Sequence, residues 1–491
     1  MNTKIVRYIL CRMLGVEAAL LLVPVLVAVI YQEKCGIVFL IPIVILCLLF
    51  LVAGRKRPEH GQIYGKEGMV IVALAWILWS LFGAMPFTLS GYIPSYVDAF
   101  FETVSGFTTT GSSIIPDVEV LPHCLLFWRS FTHWIGGMGV LVFVLVVTSL
   151  DRKNSMHLMR AEVPGPEKDK LVPKAMSTAR ILYGMYLILT VIEMVFLVIG
   201  GMNLFDSMIF SFGSAGTGGF SNYADSVAHF NSAYIDGVIT VFCALFGVNF
   251  ALFYFMILGD FKSILKNEEL RTYILLIAGA TAAIMLNIHS LYPTIGKSFR
   301  YAVFQVVTVI TTTGYSTADF AQWPMFSKAV LMMLTVIGAC ASSTGGGIKV
   351  SRLLVGMKCV KREIVQLAHP KSVGIIRIGG KKVSSDVLRT IYIYFIAYVG
   401  ILIGSVVLVS LDNFDFETTF SAVLTTLGNV GPGMAQVGPM GNFAEFSPLS
   451  KLILCFDMLA GVWRYSRSWY CLQHRRGAEN SRITGGFFRA V

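Results

Sequence analysis

The chain has 491 residues, of which 55% are hydrophobic and 14% are charged, whereas soluble proteins carry roughly 25% charged residues. With a mean hydropathy of +0.72, this composition excludes a soluble globular protein. The net charge of +11 does not indicate nucleic-acid binding, because the basic residues lie between apolar runs, where they act as orientation signals. The nine cysteines show no CxxC spacing, which argues against a disulfide framework or a zinc site.

Ten apolar runs are candidates for spanning a membrane, for which about 20 residues are needed. The runs are continuous rather than alternating, and this favours helices over a β-barrel. They cover residues 8–30, 37–53, 68–90, 125–150, 181–201, 234–259, 270–289, 326–355, 388–411 and 449–461. No small-residue cleavage site follows the first run, so we predict a retained helix rather than a signal peptide.

The positions of Lys and Arg predict how the chain is oriented. Basic residues are concentrated in the connections 54–67, 151–180, 262–271 and 358–389, and are missing from 91–124, 221–233 and 432–448. Cytoplasmic loops are enriched in Lys and Arg, so the first set is predicted to be cytoplasmic together with both termini.

Four stretches of moderate hydropathy lie on the side poor in Lys and Arg and run into Gly and hydroxyl residues. They are 98–113, 206–220, 300–316 and 415–433. Each is too short to span and is typical of a re-entrant segment. Gly111, Gly219, Gly314 and Gly431 recur at intervals of 108, 95 and 117 residues. The sequence therefore predicts an all-α integral membrane protein with two leading helices and four parallel helix/pore-helix/filter/helix repeats around a central pore.

The repeat defines the predicted domain boundaries. They are an N-terminal transmembrane helix pair at 1–62, pore repeats at 63–160, 161–262, 263–369 and 370–461, and an aberrant tail at 462–491.

The ends of the four stretches offer only neutral oxygen ligands. The candidate filter residues are Thr109, Thr110, Gly111, Thr217, Gly218, Gly219, Thr312, Thr313, Gly314, Asn429, Val430 and Gly431. Carbonyl and hydroxyl oxygens without net charge suit a monovalent cation better than a divalent one. The preceding short helices should direct their partly negative C-terminal ends towards the ion. The alternative is that these small residues only allow close helix packing, although packing does not explain four corresponding positions.

Several charged and polar residues near these stretches and within the spanning runs have predicted roles of their own. We expect Asp98, Asp206 and Asp415 to cap the outer ends of three short helices, with Arg300 opening the third. Glu193 lies within a spanning run and is a candidate functional residue, whereas Asn249 could equally make a structural hydrogen bond. Arg129 and His133 are expected to extend towards the outer interface.

Gly345, Gly346 and Gly347 interrupt the run 326–355 and should break its helix near the cytoplasmic half. The triplet lacks the ending and the setting of a phosphate loop, so nucleotide binding is discounted. Such a break either obstructs the pore or serves as a packing kink. No HExxH, GxSxG or Cys/His ligand set supports an enzyme.

Five motifs resemble the Trk/Ktr/HKT superfamily of potassium transporters, and in particular its TrkH-type subunits. They are SGFTTTGSS after FFETV, SAGTGGFSN, TTTGYSTADF, STGGGIKVSR and TTLGNVGPG. The resemblance implies potassium uptake across the bacterial inner membrane, with Rb⁺ as a substitute, and a gate loop that includes Gly345, Gly346, Gly347 and Lys349. It also implies a homodimer and a cytosolic, nucleotide-binding TrkA-type partner. A sodium- or proton-coupled carrier and a non-conducting membrane scaffold are the alternative functions.

The chain departs from this family after Gly461. TrkH-like chains continue with Gly-Arg-Leu-Glu, and in them the Arg contacts the gate loop; here Val462 takes its place. Deletion of one base from a Gly-Arg-Leu-Glu coding sequence produces Gly-Val-Trp-Arg. We therefore expect a frameshifted tail, with a divergent natural tail as the alternative.

Overall fold

The computed structural model describes residues 2–55, 58, 65–137, 139, 175–370, 372 and 374–463. The leading pair comprises α1 (Thr3–Leu20), α2 (Leu22–Ile30), a 3-10 helix (Lys34–Phe39), α3 (Leu40–Leu49) and a π-helical end (Phe50–Gly54). Most of the expected tail, from residue 464 onwards, lies outside the described residues, as do the second half of the run 125–150 and most of the connection 151–180.

The four repeats follow in chain order. Repeat 1 contains α4 (Gly65–Leu89), α5 (Tyr96–Phe107) and α6 (His123–Gly137). Repeat 2 contains α7 (Ala175–Ile199), α8 (Leu204–Gly216), α9 (Ala233–Phe246), α10 (Phe250–Ile257) and α11 (Phe261–Lys266). Repeat 3 contains α12 (Glu268–Ile288), α13 (Ile295–Ile310), α14 (Met325–Ile337) and α15 (Val350–Ala368). Repeat 4 contains α16 (Ser385–Val409), α17 (Phe416–Gly428) and α18 (Pro448–Trp463).

Minor elements connect the repeats. Short 3-10 helices occupy Val118–Val120, Ser226–Phe230, Phe320–Gln322, Ser410–Asp412 and Ala435–Val437. A hairpin of two antiparallel strands, β1 (Arg377–Ile378) and β2 (Lys381–Lys382), precedes repeat 4, with Arg377 opposite Lys382. The fold is otherwise helical, as the apolar runs predicted. The domain boundaries themselves stay predictions.

The short helices α5, α8, α13 and α17 correspond to the predicted pore helices, and their packing arranges the repeats in a ring. Each one packs against the helix that follows the pore helix of the preceding repeat: α8 on α6, α13 on α9, α17 on α14, and α5 on α18. The last of these contacts joins repeat 4 to repeat 1. The four repeats therefore surround one axis in sequence order.

Side-chain caps determine where the pore helices begin. Ser95, Asn203, Thr294 and Asp415 each accept a hydrogen bond from a backbone amide in the first turn. The expected cap is therefore correct for Asp415 and wrong for Asp98 and Asp206, which lie one turn further on in the same helices. The third pore helix begins at Ile295, so Arg300 lies in its second turn rather than at its start.

Two expected spans are broken. The run 234–259 forms α9 and α10, which meet at an angle of 93°. The run 326–355 ends its first helix at Ile337, because Gly338 has a φ of +72°, and resumes at Val350. The break therefore begins seven residues before the Gly345–Gly347 triplet that predicted it.

Among the described residues, six apolar helices are long enough to cross a membrane. They are Thr3–Ile30, Lys34–Gly54, Glu67–Leu89, Ile181–Ile199, Glu268–Ile288 and Ser385–Asp412. With the bent pair as a further span, they define a multi-pass membrane protein.

Candidate functional site

The four loops after the pore helices share one backbone conformation. In each triplet the first residue is left-handed and the third is a glycine with positive φ. The φ angles are 55° and 82° at Thr109 and Gly111, 54° and 80° at Thr217 and Gly219, 61° and 81° at Thr312 and Gly314, and 53° and 94° at Asn429 and Gly431. Residues with a Cβ rarely adopt φ near +80°, so the recurring glycine is required by the backbone.

These loops lie against one another in a closed ring. A Cβ added to Gly111 would lie 1.9 Å from the carbonyl oxygen of Gly218 in the second loop. The corresponding distances are 1.9 Å from Gly219 to Thr313, 2.2 Å from Gly314 to Val430 and 2.7 Å from Gly431 to Thr110. Each glycine thus contacts the middle residue of the next loop, and the fourth loop contacts the first.

The ring is neutral and rich in oxygen. Among the described residues, the carbonyls of Thr110, Gly218, Thr313 and Val430 accept no hydrogen bond. The Asn429 amide donates to the Thr110 hydroxyl at 2.9 Å, and the Ser112 hydroxyl donates to the Gly431 carbonyl at 3.1 Å, so the fourth loop is bound to the first. Carbonyl oxygens held in this way can replace part of the hydration shell of a monovalent cation.

A buried ion pair supports the first two loops. Arg129 on α6 donates to Glu102 on α5 at 2.5 Å and to the carbonyl of Ser221 at 2.8 Å. Glu102 also accepts from the Ser113 hydroxyl at 3.0 Å and the Ile114 amide at 2.9 Å, so the pair joins the segments that follow both loops. The expectation that Arg129 extends to the interface is wrong, since its side chain is only 4% exposed.

His133 is likewise buried rather than interfacial. Its ring lies behind the second loop, where a Cβ on Gly218 would come within 1.6 Å of Nδ1. It meets the ring of Phe220 edge-on at 4.1 Å. This packing explains why the middle residue of the second loop is glycine, whereas the other three loops have Thr or Val there.

Among the described residues, ion pairs join neighbouring repeats at three of the four contacts between them. Lys328 binds Glu417 at 2.9 Å, Lys451 binds Asp98 at 2.7 Å, and Arg300 binds Asp236 at 2.7 Å. The third pair has the opposite polarity, because its cation lies on the pore helix. This pairing accounts for Arg300, whose presence the sequence left unexplained.

Asp206, on the second pore helix, makes its hydrogen bonds within its own repeat. Its carboxylate accepts from the Asn203 amide at 2.7 Å, the Tyr223 hydroxyl at 2.9 Å and the Asn222 amide. It therefore fixes the segment after the second loop to the start of α8. The sequence near each of these charged residues does not indicate its partner, so only the charge itself could be read in advance.

The non-helical segment 338–349 lies directly against the ring. The Gly346 amide donates to the hydroxyl of Thr312, and the Gly347 amide donates to the carbonyl of Gly428 at 2.8 Å. A Cβ on Gly345 would lie 2.7 Å from the carbonyl of Thr311. The structure thus brings the glycine triplet into contact with the third and fourth loops.

Lys349 ends this segment and is almost fully buried. Its ammonium group donates to the Ser343 hydroxyl at 3.2 Å and to the carbonyl of Gly345. These bonds join the end of the segment to its middle and so stabilise the conformation of the segment itself.

The two polar residues of the spanning runs differ in role. Asn249 caps α10, accepting from the Ala251 amide at 2.9 Å, so it makes the structural hydrogen bond that was one of the two expectations. The Gly247-Val248-Asn249 sequence, a small residue followed by a capping residue, was the missed signal for the break. Glu193 is fully buried and faces Ser214 on α8.

Val462, where the resembling family has Arg, packs partly buried against the large apolar cluster of the leading pair and repeats 1 and 4. Within the described residues, no group of three or more His, Cys, Asp or Glu side chains could hold a metal ion. The neutral oxygens of the ring are the candidate ligands for an ion, which would be cargo rather than a cofactor.

Membrane-spanning helices that enclose a fourfold ring of neutral oxygens define a membrane protein that transports ions. A family model described as a cation transport protein, TrkH, matches residues 36–469, and the chain belongs to this family. Membership assigns the chain to transport proteins rather than enzymes.

Individual relatives match over nearly the whole chain. The Trk system potassium uptake protein TrkH of Salmonella typhimurium is 35% identical over 90% of this chain and 92% of its own. The potassium uptake protein TrkG of Escherichia coli is 32% identical over 94% of this chain and 96% of its own. The crystal structure of the potassium transporter TrkH from Vibrio parahaemolyticus superposes with a TM-score of 0.86 at 30% identity, covering 96% and 98% of the two chains.

Proposed function

We propose that this chain takes up K⁺ across the bacterial inner membrane through the ring formed by the four loops. The observation that carries the proposal is the closure of the ring, in which each loop's glycine contacts the middle carbonyl of the next loop. The twelve residues of the four triplets would then form the selectivity filter, with Rb⁺ as a substitute ion. The curated relatives named as potassium uptake proteins support K⁺ as the cargo.

We further propose that the segment 338–349 is the gate. It is bound to the ring through Gly346 and Gly347 by hydrogen bonds rather than by a continuous helix, so it can move without unfolding a spanning element. Lys349 would stabilise the obstructing conformation from within. Deleting Gly345–Gly347 should raise K⁺ flux in proteoliposomes without a cytosolic partner, and unchanged flux in a folded deletion variant would refute the gate.

We also propose an orientation in the membrane and an assembly for the chain. The basic residues lie in the connections 54–67, 262–271 and 358–389, which supports cytoplasmic termini. The relatives are named as proteins of a Trk system, and the homodimer and the cytosolic TrkA-type subunit are carried over from the family resemblance.

The proposed function is tested by whether the chain rescues bacterial growth at low K⁺. Expression of the chain in a strain lacking potassium uptake should restore growth at low K⁺, whereas the variant Gly219→Ser should restore it less well in the presence of Na⁺. A non-conducting scaffold would give no rescue despite normal membrane insertion. Flux of ⁸⁶Rb⁺ into proteoliposomes made with the purified chain would separate transport by this protein from an indirect effect on growth.

Proton-coupled uptake is a second candidate, favoured by one observation. Glu193 lies in a spanning helix and is fully buried among the described residues, next to Ser214 on the second pore helix. A carboxyl group at such a site is a functional candidate by default. Proton-coupled uptake requires that Glu193→Gln abolish the pH dependence of K⁺ flux, whereas a simple pore predicts the same pH profile in both proteins.

A further inference from the structure

Glu269, at the start of α12, binds both ends of the gate segment. Its Oε1 atom accepts from the Ala341 amide at 2.6 Å and from the Ser351 amide at 3.1 Å. Ala341 lies three residues after the break in repeat 3, and Ser351 lies in the first turn of α15. One buried carboxylate oxygen thus joins the two ends of a segment whose middle contacts the ring.

Two backbone hydrogen bonds also hold the first part of the segment, and they are weaker than the bonds to the carboxylate. The Cys340 amide donates to the Gly247 carbonyl at 3.1 Å, and the Ser342 carbonyl accepts from the Phe250 amide at 3.1 Å. Both are neutral backbone bonds, whereas hydrogen bonds to a charged group are roughly twice as strong. Lys349, buried at the far end of the segment, lies close enough to Glu269 to attract it electrostatically.

Glu268, the neighbour of Glu269, connects the start of α12 to the hairpin of β1 and β2. Glu268 binds Lys358 on α15, and Lys358 also donates to the Arg377 carbonyl of β1 at 2.7 Å. A cavity of about 50 Å³ is lined by Glu268 and Glu269, by Ala341 and Ser351, and by Ile378 and Gly379 of the hairpin. The hairpin and the gate segment therefore meet at the start of α12.

We propose that Glu269 is the positioning residue that holds the gate segment against the ring, and that Glu268 and Lys358 couple it to the hairpin. The proposal rests on the gate function proposed above. Loss of the carboxylate removes the hydrogen bonds to Ala341 and Ser351 together, because the same oxygen accepts both. Glu269 touches no residue of the ring, so its removal leaves ion preference unchanged.

The test compares Glu269→Ala, Glu269→Gln and the control Glu363→Ala in the full-length protein in proteoliposomes. Glu363 is an exposed carboxylate on α15 whose ion pair is with its neighbour Arg362. Glu269→Ala should raise basal ⁸⁶Rb⁺ flux about tenfold, since a charged hydrogen bond changes an equilibrium by at least that factor. Glu269→Gln keeps an acceptor oxygen and should give a smaller rise, and Glu363→Ala should match the wild type.

Native Cys340 provides a readout of segment position, and the buried Cys455 on α18 is the internal control for general unfolding. The Cys340 side chain is fully buried in the segment. Peptide mapping after treatment with a membrane-permeant thiol reagent should show little labelling of Cys340 in the wild type and strong labelling in Glu269→Ala. The ratio of K⁺ to Na⁺ flux should be the same in both proteins.

The possible outcomes distinguish the positioning role of Glu269 from the gate function of the segment. If the Gly345–Gly347 deletion raises flux and a folded Glu269→Ala does not, the positioning role is refuted while the gate stands. If neither raises flux, the gate is refuted. Should Glu269→Ala fail to insert, Glu269→Asp replaces it, because its shorter side chain keeps the charge but cannot reach both amides; wild-type flux and labelling in that variant would overturn the proposal.

Discussion

Replacing Gly219 by Ser tests whether the ring selects ions. A Cβ at this position would lie 1.9 Å from the Thr313 carbonyl oxygen, and real Cβ contacts essentially never fall below 3.0 Å. The oxygen must therefore move by about 1.1 Å, whereas binding groups must be held to about 0.5 Å of their working geometry. We expect the preference for K⁺ over Na⁺ to fall about tenfold, which corresponds to about 1.4 kcal/mol.

Gly201 provides the matched control. Its φ is +91°, close to the +80° of Gly219, but a Cβ there would meet nothing within 4 Å. Gly201→Ser therefore carries the same backbone strain, about 1–2 kcal/mol, without displacing a carbonyl of the ring. Its ion preference should equal that of the wild type even if both variants are less stable.

The assay is competition of Na⁺ with ⁸⁶Rb⁺ flux in proteoliposomes, with thermal unfolding measured on the same samples. The series should be graded, because the added Cβ would be 1.9 Å from its neighbour at Gly111 and 2.7 Å at Gly431. Gly431→Ser should thus lose less selectivity than Gly111→Ser. Equal ion preference in Gly219→Ser, Gly201→Ser and the wild type would refute the assignment of the filter.

Three further changes test the supporting contacts. Asp236→Lys should lower the melting temperature, because it places a second positive charge beside Arg300 in place of the carboxylate that lies 2.7 Å away. The double variant Asp236→Lys with Arg300→Glu should recover the melting temperature by restoring an ion pair of reversed polarity. A double variant no more stable than Asp236→Lys would show that the pair does not stabilise the protein. Arg129→Leu should cost about 3–5 kcal/mol of stability, because it leaves Glu102 buried without its cation; a wild-type unfolding curve would contradict this. Burial raises the pKa of Glu33, but hydrogen bonds from the start of α6 outweigh burial and hold that pKa below its usual 4.5. This stabilisation is present above the unfolded-state pKa and is lost as the pH falls through the folded one, so the melting temperatures of wild type and Glu33→Gln should differ at about pH 7 and converge towards about pH 3.

Local chemistry made only part of each loop's conformation predictable. The recurring Gly suits a positive φ, as seen at Gly111, Gly219, Gly314 and Gly431. The left-handed φ of the β-branched Thr109, Thr217 and Thr312 is disfavoured by their own side chains, so the surrounding structure must impose it. Helix breaks were less predictable, because a single Gly such as Gly338 is tolerated in many helices and only its φ of +72° shows that the helix stops there.

The sequence by itself determined the membrane helices, the fourfold repetition and the neutral chemistry of the loops, since each depends on composition and on residues a few positions apart. Only the tertiary structure decided which groups meet. Lys451 and Asp98 are 353 residues apart, and Glu269 reaches Ala341 across 72 residues. A charge in the sequence shows that a partner is needed in a buried site, but the packing of the helices selects that partner. For this reason the partners of Arg129 beside the ring and of Glu269 in the segment 338–349 could be assigned only from the folded chain.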